Sequence, residues 1–202
     1  MKGRFITFEG IDGAGKSTHI GWYVERLRAL GREVVHTREP GGSALAESLR
    51  ELLLQRPMPL ASELLLVFAA RQDHLEQRIR PALAAGKWVV CDRFTDSTYA
   101  YQGAGRGAPL ERIAWLEAWV HGDLQPDRTY LFDLDPALAA QRRAAHAPDR
   151  FEAEDTAFFE RVRQGYRRRA AADPERFRIL GSDRSLEILR ELLEEDIVSI
   201  CK

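Results

Sequence analysis

The chain has 202 residues, 45% hydrophobic and 30% charged, with 30 basic against 31 acidic side chains. That length suits a single domain, and a formal charge of -1 excludes a bulk polyanion binder, so no nucleic-acid partner is expected. Two distant cysteines, Cys91 and Cys201, exclude a disulfide framework or four-ligand zinc site, and with no export signal or apolar span they suggest a cytoplasmic protein without a membrane partner.

The first strand candidate is 4–9 (RFITFE), and a helical pattern follows at 16–30. Between them Gly10, Ile11, Asp12, Gly13, Ala14, Gly15, Lys16, Ser17 and Thr18 fit G-x-x-x-x-G-K-S/T, in the strand-to-helix context the motif requires. Its glycines let several backbone N–H groups converge on phosphate oxygens at a positive helix end. Lys16 adds a point charge toward the β/γ-phosphates of ATP, and the Ser17 hydroxyl is placed to ligate Mg2+. Average residue frequencies give this pattern by chance in roughly 1% of chains of this size. A Rossmann fingerprint would need glycine where Asp12 stands, and a GTP switch reads its base with N-K-x-D, which a chain without asparagine cannot contain.

A second strand, 33–37, leads into Thr37-Arg38-Glu39-Pro40-Gly41-Gly42, and helices are expected at 43–55 and 62–85. The latter carries Phe68 and Arg71 on one face: Phe68 is either core or a platform for a base, and Arg71, ending an apolar run, needs a partner. The third strand, 87–91, runs into Asp92-Arg93 and then Ser97, Thr98, Tyr101 and Gln102. Asp92 is placed like a carboxylate that orients Mg2+, while Arg38 and Arg93 suit a second anion. Each of these is also compatible with a cap, a turn or a surface ion pair; their joint position at strand ends beside the phosphate loop favours function. Helices at 109–121, 136–145, 155–171 and 184–199 and strands at 128–134 and 176–180 complete the chain, with Asp133 and Asp135 at another strand end. Strands alternating with helices imply an α/β fold with a mainly parallel sheet. Residues 142–154, charged and interrupted by Pro148, read as a mobile excursion.

Five signatures, F-E-G-I-D-G-A-G-K-S-T, T-R-E-P-G-G, F-A-A-R, D-R-F-T-D-S-T-Y-A-Y-Q-G and the later D-R-F-E, stand in this order through about three quarters of the chain. In them the sequence resembles the bacterial thymidylate kinases, a branch of the P-loop nucleoside monophosphate kinases. The resemblance implies a three-layer fold, a five-stranded parallel sheet flanked by helices, with 142–154 as a small lid in a single domain 1–202. It also implies transfer of the ATP γ-phosphoryl to dTMP, and a homodimer. By position, Asp12 would hold the deoxyribose 3′-hydroxyl or organise the acceptor, and Arg38 and Arg93 would bind the dTMP phosphate. Arg71, Thr98 and Gln102 would read thymine, Tyr101 would crowd the 2′ position, and Arg50 would be a further base-side arginine. The stacking Phe of many relatives lies four residues before that Arg, where this chain has Val67; Phe68 is three before it. No arginine lies within 11–14, so a lid cation from Arg142, Arg143 or Arg150 is expected to complete the charge around the transferred group. The competing readings are a P-loop kinase for another small acceptor, or a catalytically silent nucleotide-binding protein.

Overall fold

The structure is a computed structural model and describes residues 3–143 and 149–201, the side chain of Arg143 excepted. Residues 144–148 of the expected lid, and the end of the helix predicted at 136–145, lie outside the described residues.

Five strands, β1 (Phe5–Glu9), β2 (Val34–Arg38), β3 (Trp88–Asp92), β4 (Arg128–Asp133) and β5 (Phe177–Gly181), form one parallel sheet in the order β2-β3-β1-β4-β5. β1 is central and wholly buried: Phe5, Ile6 and Phe8 pack on the two covered faces, while its polar residues Thr7 and Glu9 are satisfied by Thr129 Oγ1 (2.8 Å) and the Phe94 N–H. One face packs Ile6, Phe8, Tyr130 and Phe132 against α1 (Lys16–Ala29), α8 (Thr156–Ala172) and α9 (Leu186–Ile200). The other packs Phe5, Val89 and Cys91 on Leu75 and Ile79. Phe8 and Tyr23 meet edge-on at 5.2 Å, a geometry favoured by the ring quadrupoles.

The remaining helices are α2 (Ala44–Gln55), α3 (Leu60–His74), α4 (Arg80–Ala84), α5 (Thr95–Thr98), α6 (Leu110–His121) and α7 (Pro136–Arg143). The expected helix 62–85 is interrupted by a π-helical turn, Leu75–Ile79, between α3 and α4. Pro81 has no N–H to donate to the preceding turn, and the wider turn absorbs that loss. A second π-helical turn, Tyr99–Gly105, follows α5 where the sequence suggested only a segment leaving a strand. Its residues are too few, too polar and too glycine-rich to show a helical period.

The parallel order brings all five strand C-termini to one edge. β2 and β3 lie on one side of β1 and β4 and β5 on the other, so the phosphate loop leaves β1 at the switch in strand order, where ligands enter such sheets. The register sets Phe8 and Arg38 level with Asp92 on either side.

Candidate active site

The phosphate loop ends at Gly15, which caps α1 in the left-handed conformation (φ 86°) and supplies no side-chain cap. By contrast Asp155 and Ser185 bond the first-turn N–H groups of α8 and α9. The N-terminus of α1 therefore keeps its donors for an anion. Lys16 is buried and folds back on the loop, its Nζ donating to the carbonyls of Gly10 (3.1 Å) and Ile11 (3.3 Å). Burial and the nearby Arg93 lower its pKa, and Asp92, Asp12 and Glu9 oppose them.

Beside the loop, a cavity opens between the ends of β1, β2 and β3 and helices α2 and α3. At its inner end Arg93 holds the left-handed region (φ 69°), rare for a residue with a side chain. Its Nη2 donates to Asp12 Oδ1 at 2.6 Å and to the Tyr101 hydroxyl at 3.2 Å; its Nη1 donates to Ser97 Oγ (3.2 Å) and the Tyr166 hydroxyl (2.9 Å). Tyr101 in turn donates to Asp12 Oδ2 at 2.7 Å. Burial alone would raise the Asp12 carboxyl, but Arg93, Lys16 and the Tyr101 hydroxyl outweigh it and hold it far below the usual range. Asp12, Arg93 and Tyr101 are thus one rigid group.

At the other end, Arg71 is 2% exposed. Its Nε donates to Glu39 Oε2 (2.7 Å) and its Nη2 to Thr98 Oγ1 (3.0 Å), while Nη1, also buried, has no partner among the described residues. Thr98 and Gln102 line the same wall. Thr98 Oγ1 accepts from Arg71, which leaves its own hydrogen to donate, and Gln102 gives its Nε2 to Glu63 at 2.8 Å. Arg50 lines the cavity between the two ends, its Nη1 on the Pro40 carbonyl (2.8 Å). Burial and the charges of Arg38 and Arg93 push its pKa down, which marks a locally cationic wall suited to an anion.

The family-model comparison matches the thymidylate kinase model over residues 8–193. The chain belongs to the thymidylate kinase family. It is 59% identical to the thymidylate kinase of Cupriavidus metallidurans over 99% of this chain and 100% of that one. It is 56% identical to the thymidylate kinase of Bordetella pertussis over 97% and 95%. Among solved structures, the thymidylate kinase of Ehrlichia chaffeensis matches with a TM-score of 0.79 at 34% identity, over the full length of both chains.

Against this thymidylate kinase framework several expected site residues stand differently. Phe68 is 2% exposed, stacked 6.2 Å from His121 and packed with Leu64 and Ile113; Val67 lines the cavity in its place. Phe68 packs toward α6 while its ring still lies 4.9 Å from the Arg71 guanidinium; of the two rings beside Arg71, it is Phe94, at 5.1 Å, that lines the cavity. Arg38 does not line the cavity: it is half exposed and paired with Glu47 (2.8 Å), which also accepts the Gly42 N–H. Ser97 reaches the cavity, but its hydroxyl is spent on Glu9 at 2.6 Å, so it positions Arg93. Asp133 is an ion-pair partner of Arg163 and Arg167, and Asp135 accepts the Ala137 N–H, as a residue capping a strand-to-helix junction does.

The three lid arginines separate. Arg142, in the last turn of α7, lies beside the phosphate loop: its Nη2 donates to the Ser182 carbonyl (3.2 Å), and Ser182 Oγ donates to the carbonyl of Ala14. Arg150 lies on the α2–α3 side, with Nη1 on Glu63 (2.7 Å) and Nε on the Leu53 carbonyl (2.9 Å), an anchoring role instead of a phosphate contact. The side chain of Arg143 lies outside the described residues.

Three buried glutamates were not singled out from the sequence. Glu39 joins Arg71 to His74 (3.0 Å), and Glu63 joins Gln102 to Arg150. Glu9 accepts the Phe94 N–H (2.7 Å), Ser97 Oγ and the Tyr166 hydroxyl (3.0 Å). Burial, then the Asp96 charge, push the Glu9 carboxyl up to about 7 against the opposing Ser97 bond and Arg93 charge. The sequence signal of Glu9 and Glu63 was a carboxylate at the edge of an otherwise apolar run, as in FITFE and ELLLVFAA, whereas Glu39 stands in the polar turn segment Thr37–Gly42 and carries no such signal.

Proposed function

We propose that the protein transfers the γ-phosphoryl of ATP to dTMP, giving dTDP and ADP. The observation that carries this reading is the buried, unpartnered Nη1 of Arg71, held in a cavity that runs to the phosphate loop. A buried cationic donor without an acceptor is costly unless a ligand supplies one, and a thymine carbonyl is such an acceptor. Thr98 and Gln102 read the rest of the base edge, and Phe94 with Val67 covers the ring. The ring of Tyr101, fixed through its hydroxyl, crowds the 2′ position, and Asp12 faces the sugar or the acceptor phosphate.

An oxygen of the dTMP phosphate attacks the γ-phosphorus and the bond to the β-phosphate bridging oxygen breaks. The attacking phosphate is already anionic near neutral pH, so positioning and cations carry the catalysis rather than a base. Arg93 and Arg50 orient the acceptor phosphate; Lys16 and the N–H groups opening α1 bind the donor, with Arg142 flanking the loop. The segment 142–154 serves as the lid, anchored through Arg150, and excludes water.

The residues present fit Mg2+. Asp92 Oδ1 is buried without a hydrogen-bond partner among the described residues, in electrostatic range of Lys16, and Ser17 follows Lys16 at the start of α1. Ser17 and Asp92 would hold the ion directly or through water, and it would neutralise charge on the β- and γ-phosphates. ADP release across a panel of nucleoside monophosphates tests the assignment; turnover with AMP or shikimate but not dTMP would overturn it.

The protein also acts as a homodimer in this reading. Leu65, Trp115 and Trp119 are 58%, 63% and 72% exposed on α3 and α6; Leu65 and Trp115 border one apolar groove and the Trp115 and Trp119 rings lie 5.3 Å apart, a face that a second copy would cover. Light scattering should give twice the chain mass, and Trp119→Asp should give a monomer; a monomeric parent would refute it. No described helix is long and apolar enough to cross a membrane.

A further inference from the structure

Glu63 is 1% exposed near the start of α3 and does not line the cavity, yet it is the most heavily used carboxylate behind the base end. Oε1 accepts from Gln102 Nε2 at 2.8 Å and lies 3.0 Å from Arg106 Nε; Oε2 accepts from Arg150 Nη1 at 2.7 Å. Arg106 also pairs with Glu154 at 2.9 Å, and the Arg150 guanidinium lies 4.5 Å over Phe151, which lines the cavity and meets the Tyr101 ring at 5.9 Å.

This arrangement decides which end of the Gln102 carboxamide the substrate meets. A carboxylate between two guanidiniums only accepts hydrogen bonds, so it takes the NH2 end of the amide. The carbonyl Oε1 is then the end left for the cavity that Gln102 lines. Together with the free Arg71 Nη1, the site offers one acceptor and one donor to the base. That pair complements a ring with an N–H beside a carbonyl. A 4-aminopyrimidine presents the reverse, a bare nitrogen beside an NH2, and would set acceptor against acceptor and donor against donor.

We propose that Glu63 is a specificity-determining positioning residue, which locks the Gln102 amide so that a 4-oxo pyrimidine nucleotide is accepted and a 4-amino one refused. The inference rests on the dTMP reading of the cavity. Through Arg150 the same carboxylate ties the 149–152 turn to the base-reading amide, so the end of the lid and the base end share one anchor.

The test compares the parent, Glu63→Gln and Arg106→Met, measuring kcat and KM with dTMP and with dCMP. A glutamine at 63 can donate as well as accept, so Gln102 loses its single orientation. The ratio of kcat/KM for dTMP over dCMP should fall at least tenfold in Glu63→Gln, chiefly through a raised KM for dTMP, and stay within twofold of the parent in Arg106→Met. A Glu63→Gln ratio within twofold of the parent, or a proportional loss toward both nucleotides, overturns the proposal and leaves a structural role. A parent that does not prefer dTMP refutes the underlying functional reading instead. Should Glu63→Gln fail to fold, side-chain amide exchange in the parent decides. Gln102 NH2 protons protected with and without dTMP support the lock; protons that exchange freely until dTMP binds overturn it.

Discussion

Replacing Arg71 by lysine separates the two tasks of that side chain. Its Nε holds the buried Glu39 at 2.7 Å, its Nη2 holds Thr98 at 3.0 Å, and its Nη1 is the free donor in the cavity. A lysine keeps the charge that Glu39 requires, and so avoids the ~3–5 kcal/mol that an unpaired buried carboxylate costs. It has no fork, and one ammonium cannot serve Glu39, Thr98 and a base together. The fold should lose only the Thr98 bond, about 1 kcal/mol, or roughly 2–4 °C in Tm. The substrate loses a charge-assisted hydrogen bond worth about 1.5–3 kcal/mol, a rise in KM for dTMP of roughly 10- to 150-fold. Since the base lies at the far end of the cavity from the transferred phosphoryl, kcat should change by less than about fivefold. Coupled ADP release at saturating ATP gives both constants, and a melting curve checks the fold. An unchanged KM with a collapsed kcat would show that Nη1 does not meet the substrate.

Arg93→Met should reduce kcat by about a thousandfold or more while the ATP dissociation constant, by calorimetry, moves less than about threefold; equal losses would place Arg93 on the donor phosphate. Glu9 carries a pH signature. Its carboxyl is pushed up to about 7 on folding, so the folded chain binds the extra proton and stability falls as pH rises from about 4.5 to about 7. Glu9→Gln lacks that loss, so urea unfolding at pH 5 and pH 8 should move in favour of the variant by about 1 kcal/mol or more; a pH-independent difference would refute it. Gly42→Ala would place a methyl against His74 Nε2 and Thr37 Oγ1 at φ 89°, and should lower Tm by roughly 5–10 °C; an unchanged Tm would mean that the turn relaxes freely.

The architecture was legible because its signal is periodic. Buried strands such as FITF and WVVC and the long amphipathic helices announce themselves by pattern, and the phosphate loop by spacing. The segment after β3 did not, since α5 and its π-turn are built from polar and small residues aimed at a ligand instead of a core. The helix carrying Phe68 and Val67 shows a different limit. Both are apolar and adjacent, one helical step is about 100°, and only the docked position of α6 decides which of them reaches the cavity. The lid arginines were indistinguishable as letters in the sequence. What separates Arg150 from Arg142 is Glu63, which lies 87 positions from Arg150 in the chain.

Of the 30 basic residues 26 are arginine, and those at the site are matched by carboxylates. Each of three arginines in or beside the site is held by an acid from another chain segment: Arg71 by Glu39, Arg93 by Asp12, and Arg150 by Glu63. Guanidinium suits this because its donors point in fixed, divergent directions, so one edge can be spent on the fold while another is kept for a ligand. Arg71 shows the division within a single side chain, and Gln102 repeats it with an amide. The acids cannot be replaced by apolar residues without releasing the cation they hold. In each pair the acid belongs to the site as much as the arginine does. Near-neutral net charge and a cationic cavity are therefore compatible: each acid is spent on the arginine it holds, and the ligand meets the donor edges left over.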